Sequence, residues 1–148
     1  MTGSRRDLDY AAAFRALPVP AFLMTPDLVV ADVNDAFAEV FGRDRDQVIG
    51  QSVLAAFPRN PADPAATGPA NLTDSVRRVL ETGKSDSMPL QRYDVQDPGS
   101  PGTYRERYWC PVNAPVRGPD GKVAMILHVV EEIPDLIRKF VDAEAASS

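Results

Sequence analysis

The side chains best suited to chemistry are concentrated between Arg92 and Val130. This stretch holds the only histidine and the only cysteine of the chain, His128 and Cys110, together with arginines that stand beside tyrosines. Histidine donates or accepts hydrogen bonds and changes charge near neutral pH, and arginine binds carboxylates through two parallel hydrogen bonds. If an arginine of this stretch points into the protein, a small organic acid is the ligand that these residue types favour.

Catalytic and metal chemistry find no support in the sequence. A single histidine and a single cysteine cannot build a metal site from several such ligands. No nucleophile or base stands beside the acids considered, and no glycine-rich phosphate loop is present. These acids are Asp27, Asp32, Asp35, Glu131 and Glu132. We therefore predict that this domain is not itself an enzyme and has no metal site of that kind.

Five residues are candidate ligand contacts: Asn34, Arg92, Arg107, Tyr108 and His128. Each also has a structural alternative. A strand arginine usually pairs with a neighbouring acid at the surface, and an asparagine between a strand and a helix is a good helix cap. A histidine in an apolar strand is often a core residue satisfied by one hydrogen bond. The sequence leaves these alternatives open.

The composition limits the class of protein. The chain has 148 residues, 44% hydrophobic and 25% charged, which fits one globular domain. Its net charge of −5 argues against a nucleic-acid partner. Neither a signal peptide nor an apolar run of about 18 residues is present, so we predict no direct membrane insertion. One cysteine cannot form an internal disulfide, which fits a cytoplasmic location.

A predicted hairpin positions most of the candidates. Two extended runs between Tyr104 and Val130 are joined by the turn sequence from Arg117 to Gly121, with its Gly-Pro and Asp-Gly dipeptides. In the second run, Val123–Val130, both sets of alternate residues are apolar, except for His128. A strand of this type is expected in the middle of a sheet, covered on both faces.

The remaining elements follow from periodicity and from turn residues. A proline-rich loop, Phe57–Ala70, separates short elements before it from a long helix after it. In chain order we predict a helix at Asp7–Leu17, strands at Val19–Thr25 and Leu28–Val33, short helical turns at Ala36–Phe41, Arg43–Gly50 and Gln51–Phe57, the long helix Asn71–Gly83, a strand at Ser87–Val95 and a terminal helix at Asp135–Ala146.

This order of elements resembles the PAS (Per-Arnt-Sim) sensor domains. The resemblance is carried by four segments: Leu17–Gly42, Arg45–Gly50, Val79–Gly83 and Glu106–Glu132. It implies an α+β fold with a five-stranded antiparallel sheet in the order 2-1-5-4-3, short helices over one face, and flanking helices at both ends. The corresponding division is 1–17 for the first flanking helix, 18–133 for the PAS domain and 134–148 for a linker helix toward an output domain.

The resemblance also bears on cofactors and signal relay. Haem-binding members have a histidine on the long helix, which has none here, and flavin photosensors use an Asn-Cys-Arg motif that this sequence lacks. It therefore argues against haem and a covalent flavin adduct and leaves the cofactor unknown. We expect Cys110 to be a free structural thiol; the alternative, a redox sensor, would need an exposed thiol with a lowered pKa. Relay to the output domain is expected through Glu131, Glu132 and Asp135, although the threonine that usually follows in this element is absent.

The resemblance implies a regulatory function. We expect a sensor and dimerisation domain of a bacterial signal-transduction protein, such as the histidine kinase of a two-component system, which senses a small molecule or a partner. The alternative is a ligand-free interaction or dimerisation module with a filled core. In either case we expect a homodimer formed by Asp7–Leu17 and the outer face of the sheet.

Overall fold

The computed structural model describes residues 8–56, 68–92, 95–96, 102–105, 107–133 and 142–146. Its sheet is antiparallel and runs in the order β2-β1-β8-β7, with two short strands, β3 and β4, sharing the edge beside β7. A further two-stranded pair, β5 and β6, lies apart from it. The strands are β1 Ala21–Met24, β2 Val30–Val33, β3 Asp86–Ser87, β4 Gln91–Arg92, β5 Val95–Gln96, β6 Tyr104–Arg105, β7 Tyr108–Arg117 and β8 Val123–Ile133. The sheet confirms the predicted α+β fold and its strand order, since β8 lies in the centre.

The hairpin of β7 and β8 is the longest pairing in the sheet. Its turn spans the predicted Gly-Pro-Asp-Gly sequence, where Gly121 takes a positive φ of 81° and its N–H donates to the carbonyl of Gly118. Glycine adopts this backbone conformation without the steric cost of a Cβ. The turn thereby fixes which residues of the two strands face each other.

The predicted strand Ser87–Val95 is wrong as one continuous element. The structure divides it into β3 and β4, and places Val95 in the separate pair with β6. The pairing partners advance by four residues on this edge, from Ser87 to Gln91, but by three on β7, from Val112 to Trp109. Pro89 and Pro111 both lie within this interval and have no N–H to donate to a ladder. The edge therefore bulges between the two short strands.

Helices cover one face of the sheet. They are α1 Tyr10–Ala16, α2 Asp35–Phe41, α3 Arg45–Val48, α4 Val53–Ala56 and α5 Gly68–Thr82. The helix α5 begins at Gly68, earlier than the predicted Asn71. A proline is tolerated in its first turn, because the N–H that proline lacks would have no partner there. It ends at Gly83, which takes a positive φ of 68°. Residues 142–146 are helical, as predicted for the C-terminal segment, whereas 57–67 and 134–141 lie outside the described residues.

The two faces of the sheet have different surroundings. The face toward the helices carries the core, which includes Phe22, Met24, Trp109, Ile126 and Val130. The opposite face, called here the outer face, carries the alternate residues of the same strands. Its members include Leu23, Val112, Ala114, Val116, Met125, Leu127 and Val129, which range from partly buried to exposed.

We expected other elements to cover both faces of β8. In the described part of the chain, they cover only the face toward the helices. On the outer face, Leu127 and Val129 are half-buried. Val112 and Val116 are exposed by 36% and 37%. These four side chains leave an apolar surface on the side of the sheet opposite the helices.

Candidate functional site: a buried polar chain on the inner face of the sheet

One row of paired residues crosses the whole sheet and contains the candidate His128. Starting from β2, Val33 pairs with Phe22, Phe22 with His128, His128 with Asn113, and Asn113 with Asp86. Residues that pair directly in an antiparallel sheet have side chains on the same face. The row therefore changes from apolar to polar at His128, in the middle of the sheet.

A continuous chain of hydrogen bonds joins the polar half of this row to α5. Nδ1 of His128 lies 2.7 Å from Oδ1 of Asn113, and Nδ2 of Asn113 donates to Oγ of Ser75 at 2.9 Å. Ser75 donates to a carboxylate oxygen of Asp86 at 2.6 Å, and Arg78 donates to both oxygens of Asp86 at 2.9 Å. Asn113 and Ser75 are fully buried. The chain thus connects the centre of the sheet with an ion pair at the surface.

The direction of every hydrogen bond in this chain is set by Asp86. The hydrogen bonds from Arg78 and then from Ser75 hold the pKa of Asp86 below its usual value, so it is an anion and accepts only. Ser75 must then give its proton to Asp86 and accept from the amide N–H of Asn113. That orientation turns Oδ1 of Asn113 toward His128, so Nδ1 of His128 carries a proton.

His128 is consequently a neutral imidazole with a lone pair on Nε2. Burial lowers its pKa from 6.5 to about 4, because the charged form would lose its hydration. Nε2 forms no hydrogen bond with any residue that the structure describes. The side chain is 8% exposed, and the ring of Phe22 lies 4.6 Å from it at an angle of 30°. A buried acceptor without a partner is unusual and calls for a functional explanation.

Aromatic rings continue from His128 along the inner face. Phe22 meets Phe37 edge to face at 5.3 Å, Phe37 stacks on Phe41 at 4.3 Å, and Phe41 lies 5.1 Å from Trp109. These distances are those of favourable aromatic pairs. The polar edge of His128 therefore adjoins a mostly aromatic part of the core.

Arg107 lies at the far end of this aromatic run. Its guanidinium stands 5.2 Å from the centre of the Trp109 ring and forms a two-pronged ion pair with Glu132. Arg107 thus pairs with an acid, as the structural alternative for a strand arginine predicts. The same contact joins Glu132, a predicted relay residue, to the neighbouring strand.

Asn34 caps α2, as its position in the sequence predicted. Its carbonyl accepts from the N–H groups of Phe37 and Ala21 at 2.9 and 3.0 Å, and its amide donates to the carbonyls of Val19 and Leu17 at 2.7 and 3.2 Å. An asparagine side chain has two donors and two acceptor positions, and all four are used here. The capping alternative therefore accounts for this residue without a ligand.

The other predicted residues lie at separate places. Arg92 is in β4 and pairs with Tyr108, the first residue of β7, but the side chain of Arg92 is outside the described set. Glu131 is exposed and pairs with Cys110, a free thiol at an intermediate depth. Asp135 falls among the residues that are not described. Among the candidates, His128 lies beside the ring of Phe22 and Arg107 lies beside the ring of Trp109.

The sequence analysis missed Asn113, Ser75 and Asp86. Two signals could have found them. The predicted turn places Asn113 opposite His128, and Ser75 interrupts the apolar face of the long helix formed by Leu72, Val76 and Val79. A polar residue at a buried position of each of three neighbouring elements indicates a shared network.

The comparisons with known proteins agree with this architecture. The model of a family described as PAS fold matches residues 14–138. The chain belongs to the PAS-fold family. No curated protein matches it. Within the described residues there is neither a helix long and apolar enough to cross a membrane nor a group of three or more potential metal ligands.

Three solved structures illustrate the similarity of this PAS domain to others. VqmA, solved bound to DPO, is 20% identical with a TM-score of 0.58 over 84% of this chain and 56% of its own. The PAS domain of a protein from Colwellia psychrerythraea is 17% identical with a TM-score of 0.62, covering 84% and 93%. A sensory box sensor histidine kinase from Vibrio cholerae is 16% identical with a TM-score of 0.55, covering 84% and 88%. The chain spans little more than half of VqmA, and these identities show the fold alone.

Proposed function

We propose that this PAS domain is a sensor of a bacterial signalling protein that holds a small molecule on the helix-covered face of its sheet. The observation that carries the proposal is the buried Nε2 of His128, an acceptor without a described partner among aromatic rings. A core that needed only stability would place an apolar side chain here, because an unpaired buried acceptor costs about 1–3 kcal/mol. VqmA, which has a similar fold, was solved bound to DPO, and this supports a ligand-binding role here.

The proposed relay leads along β8 to the C-terminal segment. His128 lies on β8 and is followed by Glu131 and Glu132 at the end of the same strand. The ion pair between Glu132 and Arg107 joins this end to β7 beside Trp109. A ligand that changes the packing of the aromatic run would shift this ion pair. The shift would be passed on to the segment containing Asp135, which we propose to lead to an output domain. The ligand can shift the equilibrium between the two arrangements only by the difference between its affinities for them.

The outer face supports a homodimer, in which two copies would cover the apolar surface formed by Val112, Val116, Leu127 and Val129. A two-fold contact buries the same patch on both copies, and VqmA was described as a dimer. On α1, Tyr10 is 63% exposed and offers a second apolar contact. This surface equally favours the second candidate function, a dimerisation module whose core is filled and which binds no ligand.

Native mass spectrometry of the purified chain tests both candidates. The sensor proposal predicts a dimer mass that carries an additional small molecule, whereas the module predicts a dimer of bare chains. Val112→Asp should convert the dimer to a monomer, because it places two charges in the contact without a partner. Leu54→Asp changes a leucine on α4 that is 48% exposed, more than Val112, and should leave the dimer intact. A monomer in the wild-type protein at high micromolar concentration would contradict the dimer.

A further inference from the structure

The hydrogen-bond chain restricts what a ligand at His128 can be. Its direction is set from the surface inward: the anionic Asp86 accepts from Ser75, Ser75 accepts from Asn113, and Asn113 accepts from Nδ1 of His128. Each step follows from the donors and acceptors that the side chains possess. The imidazole is thereby held in one tautomer, and its remaining nitrogen can only accept.

We infer that the site takes a flat, neutral molecule that donates an N–H or O–H to Nε2 of His128. The inference rests on the proposed function and specifies its ligand. The ring of Phe22, which is 3% exposed and 4.6 Å from the imidazole, offers a flat apolar wall beside the acceptor, and Phe37 extends it. An aromatic or heteroaromatic compound with one hydroxyl or ring N–H satisfies both features.

The charged groups on this face disfavour anionic and cationic ligands. A carboxylate would lie against an acceptor nitrogen, and the arginine nearest to the aromatic run, Arg107, already forms an ion pair with Glu132. A cation would need a buried acid, but Asp86 is paired with Arg78. Burying a charge without a partner costs far more than burying a neutral donor. The organic acid favoured by the sequence is therefore replaced by a neutral donor.

Ser75 is a positioning residue in this interpretation, since it holds the amide of Asn113 and touches no ligand. In Ser75→Ala the amide of Asn113 is free to turn over, and either nitrogen of His128 can then carry the proton. The site would lose its preference for donors without losing its shape. Ser85→Ala, at an exposed position between α5 and β3, is the matched control.

Three matched probes test the inference: phenol, a neutral donor; anisole, its methyl ether without a donor; and benzoate, an anion. Binding is followed by the ¹⁵N resonances of the imidazole, which are unambiguous because the chain has one histidine. We expect phenol to shift the Nε2 resonance and to bind about tenfold more tightly than anisole or benzoate. The preference should fall in Ser75→Ala, stay in Ser85→Ala and vanish in His128→Phe, which keeps an aromatic ring against Phe22.

The outcomes separate this inference from the proposed function. Anisole or benzoate binding as tightly as phenol, or a preference that survives in His128→Phe, would overturn the neutral donor and leave a ligand site in place. Binding of none of the three probes overturns the inference as well. If native mass spectrometry of the wild-type protein then also shows only bare chains, the sensor proposal fails and the dimerisation module remains.

Discussion

The neutral state of His128 makes the stability of the domain depend on pH. In the folded protein burial lowers the pKa of this histidine to about 4, whereas in the unfolded chain it is near 6.5. Between these values the unfolded chain binds a proton that the folded protein does not. Stability is therefore complete above pH 6.5 and is lost as the pH falls toward 4. The charged groups at the far end of the polar chain, Asp86 and Arg78, form an ion pair and are separated from the imidazole by Asn113 and Ser75.

The expected size of the effect follows from the two pKa values. Lowering the pH from 7.5 to 5 should reduce the free energy of unfolding by about 2 kcal/mol, and the full window corresponds to about 3 kcal/mol. With a urea slope of about 2 kcal/mol per molar, the midpoint should fall by about 1 M at pH 5. Few carboxylates of the unfolded chain gain protons in this range, so the single histidine dominates the change.

Urea unfolding followed by tryptophan fluorescence measures this change directly. Trp109 is the only tryptophan and is 2% exposed, so its emission reports on the core beside the aromatic run. The matched variant is His128→Gln, which does not titrate and whose amide N–H can still donate to Asn113. Its midpoint should be nearly constant between pH 7.5 and 5. An equal loss of stability in the variant, or a constant midpoint in the wild-type protein, would refute the assignment of a neutral, buried His128.

Two further substitution pairs test the local structure, again by urea unfolding. Asn34→Ala removes the partner of four backbone groups, two in buried and two in partly buried hydrogen bonds, and should cost about 3 kcal/mol. Asp9→Ala, which removes the cap of the exposed α1, should cost about 1 kcal/mol or less. Equal costs would contradict the hydrogen bonds described for Asn34. Gly83→Ala and Gly50→Ala both place alanine at a positive φ, which costs about 1 kcal/mol, but only at Gly83 would the new Cβ lie 2.6 Å from the guanidinium of Arg117. The excess at Gly83, about 0.5 kcal/mol, should disappear in an Arg117→Ala background, and an excess that persists there would point to another cause.

The sequence predicted those features that depend on neighbouring residues. The turn at Gly118–Gly121 and the cap at Asn34 are local, because each depends on residues a few positions away. The split of the edge strand was missed because it depends on how this edge pairs with β7, where a step of four residues from Ser87 to Gln91 faces a step of three from Val112 to Trp109. Periodicity within a single segment carries no information about such pairing.

The site was less predictable than the fold for the same reason. Arginine in a strand suggests an anion site, and only the three-dimensional pairing shows that Arg107 is held by Glu132, which is 25 positions away. Ser75 and Asp86 become neighbours only when α5 packs on the sheet edge. His128 was recognised because it was the one polar residue in an apolar predicted strand. Its hydrogen-bond partner Asn113 was not recognised as a site residue.

The row of paired residues across the sheet has a consequence for folding as well. A strand such as β8, apolar on both alternations, could pair one residue out of step with its neighbours at little hydrophobic cost. Such a slip would turn His128 to the outer face of the sheet and leave the buried Asn113 opposite an apolar residue of β8. The polar pair thus distinguishes the native alignment of the hairpin from its nearest competitors. The residue pair that we propose for ligand recognition would therefore also set the register of the hairpin during folding.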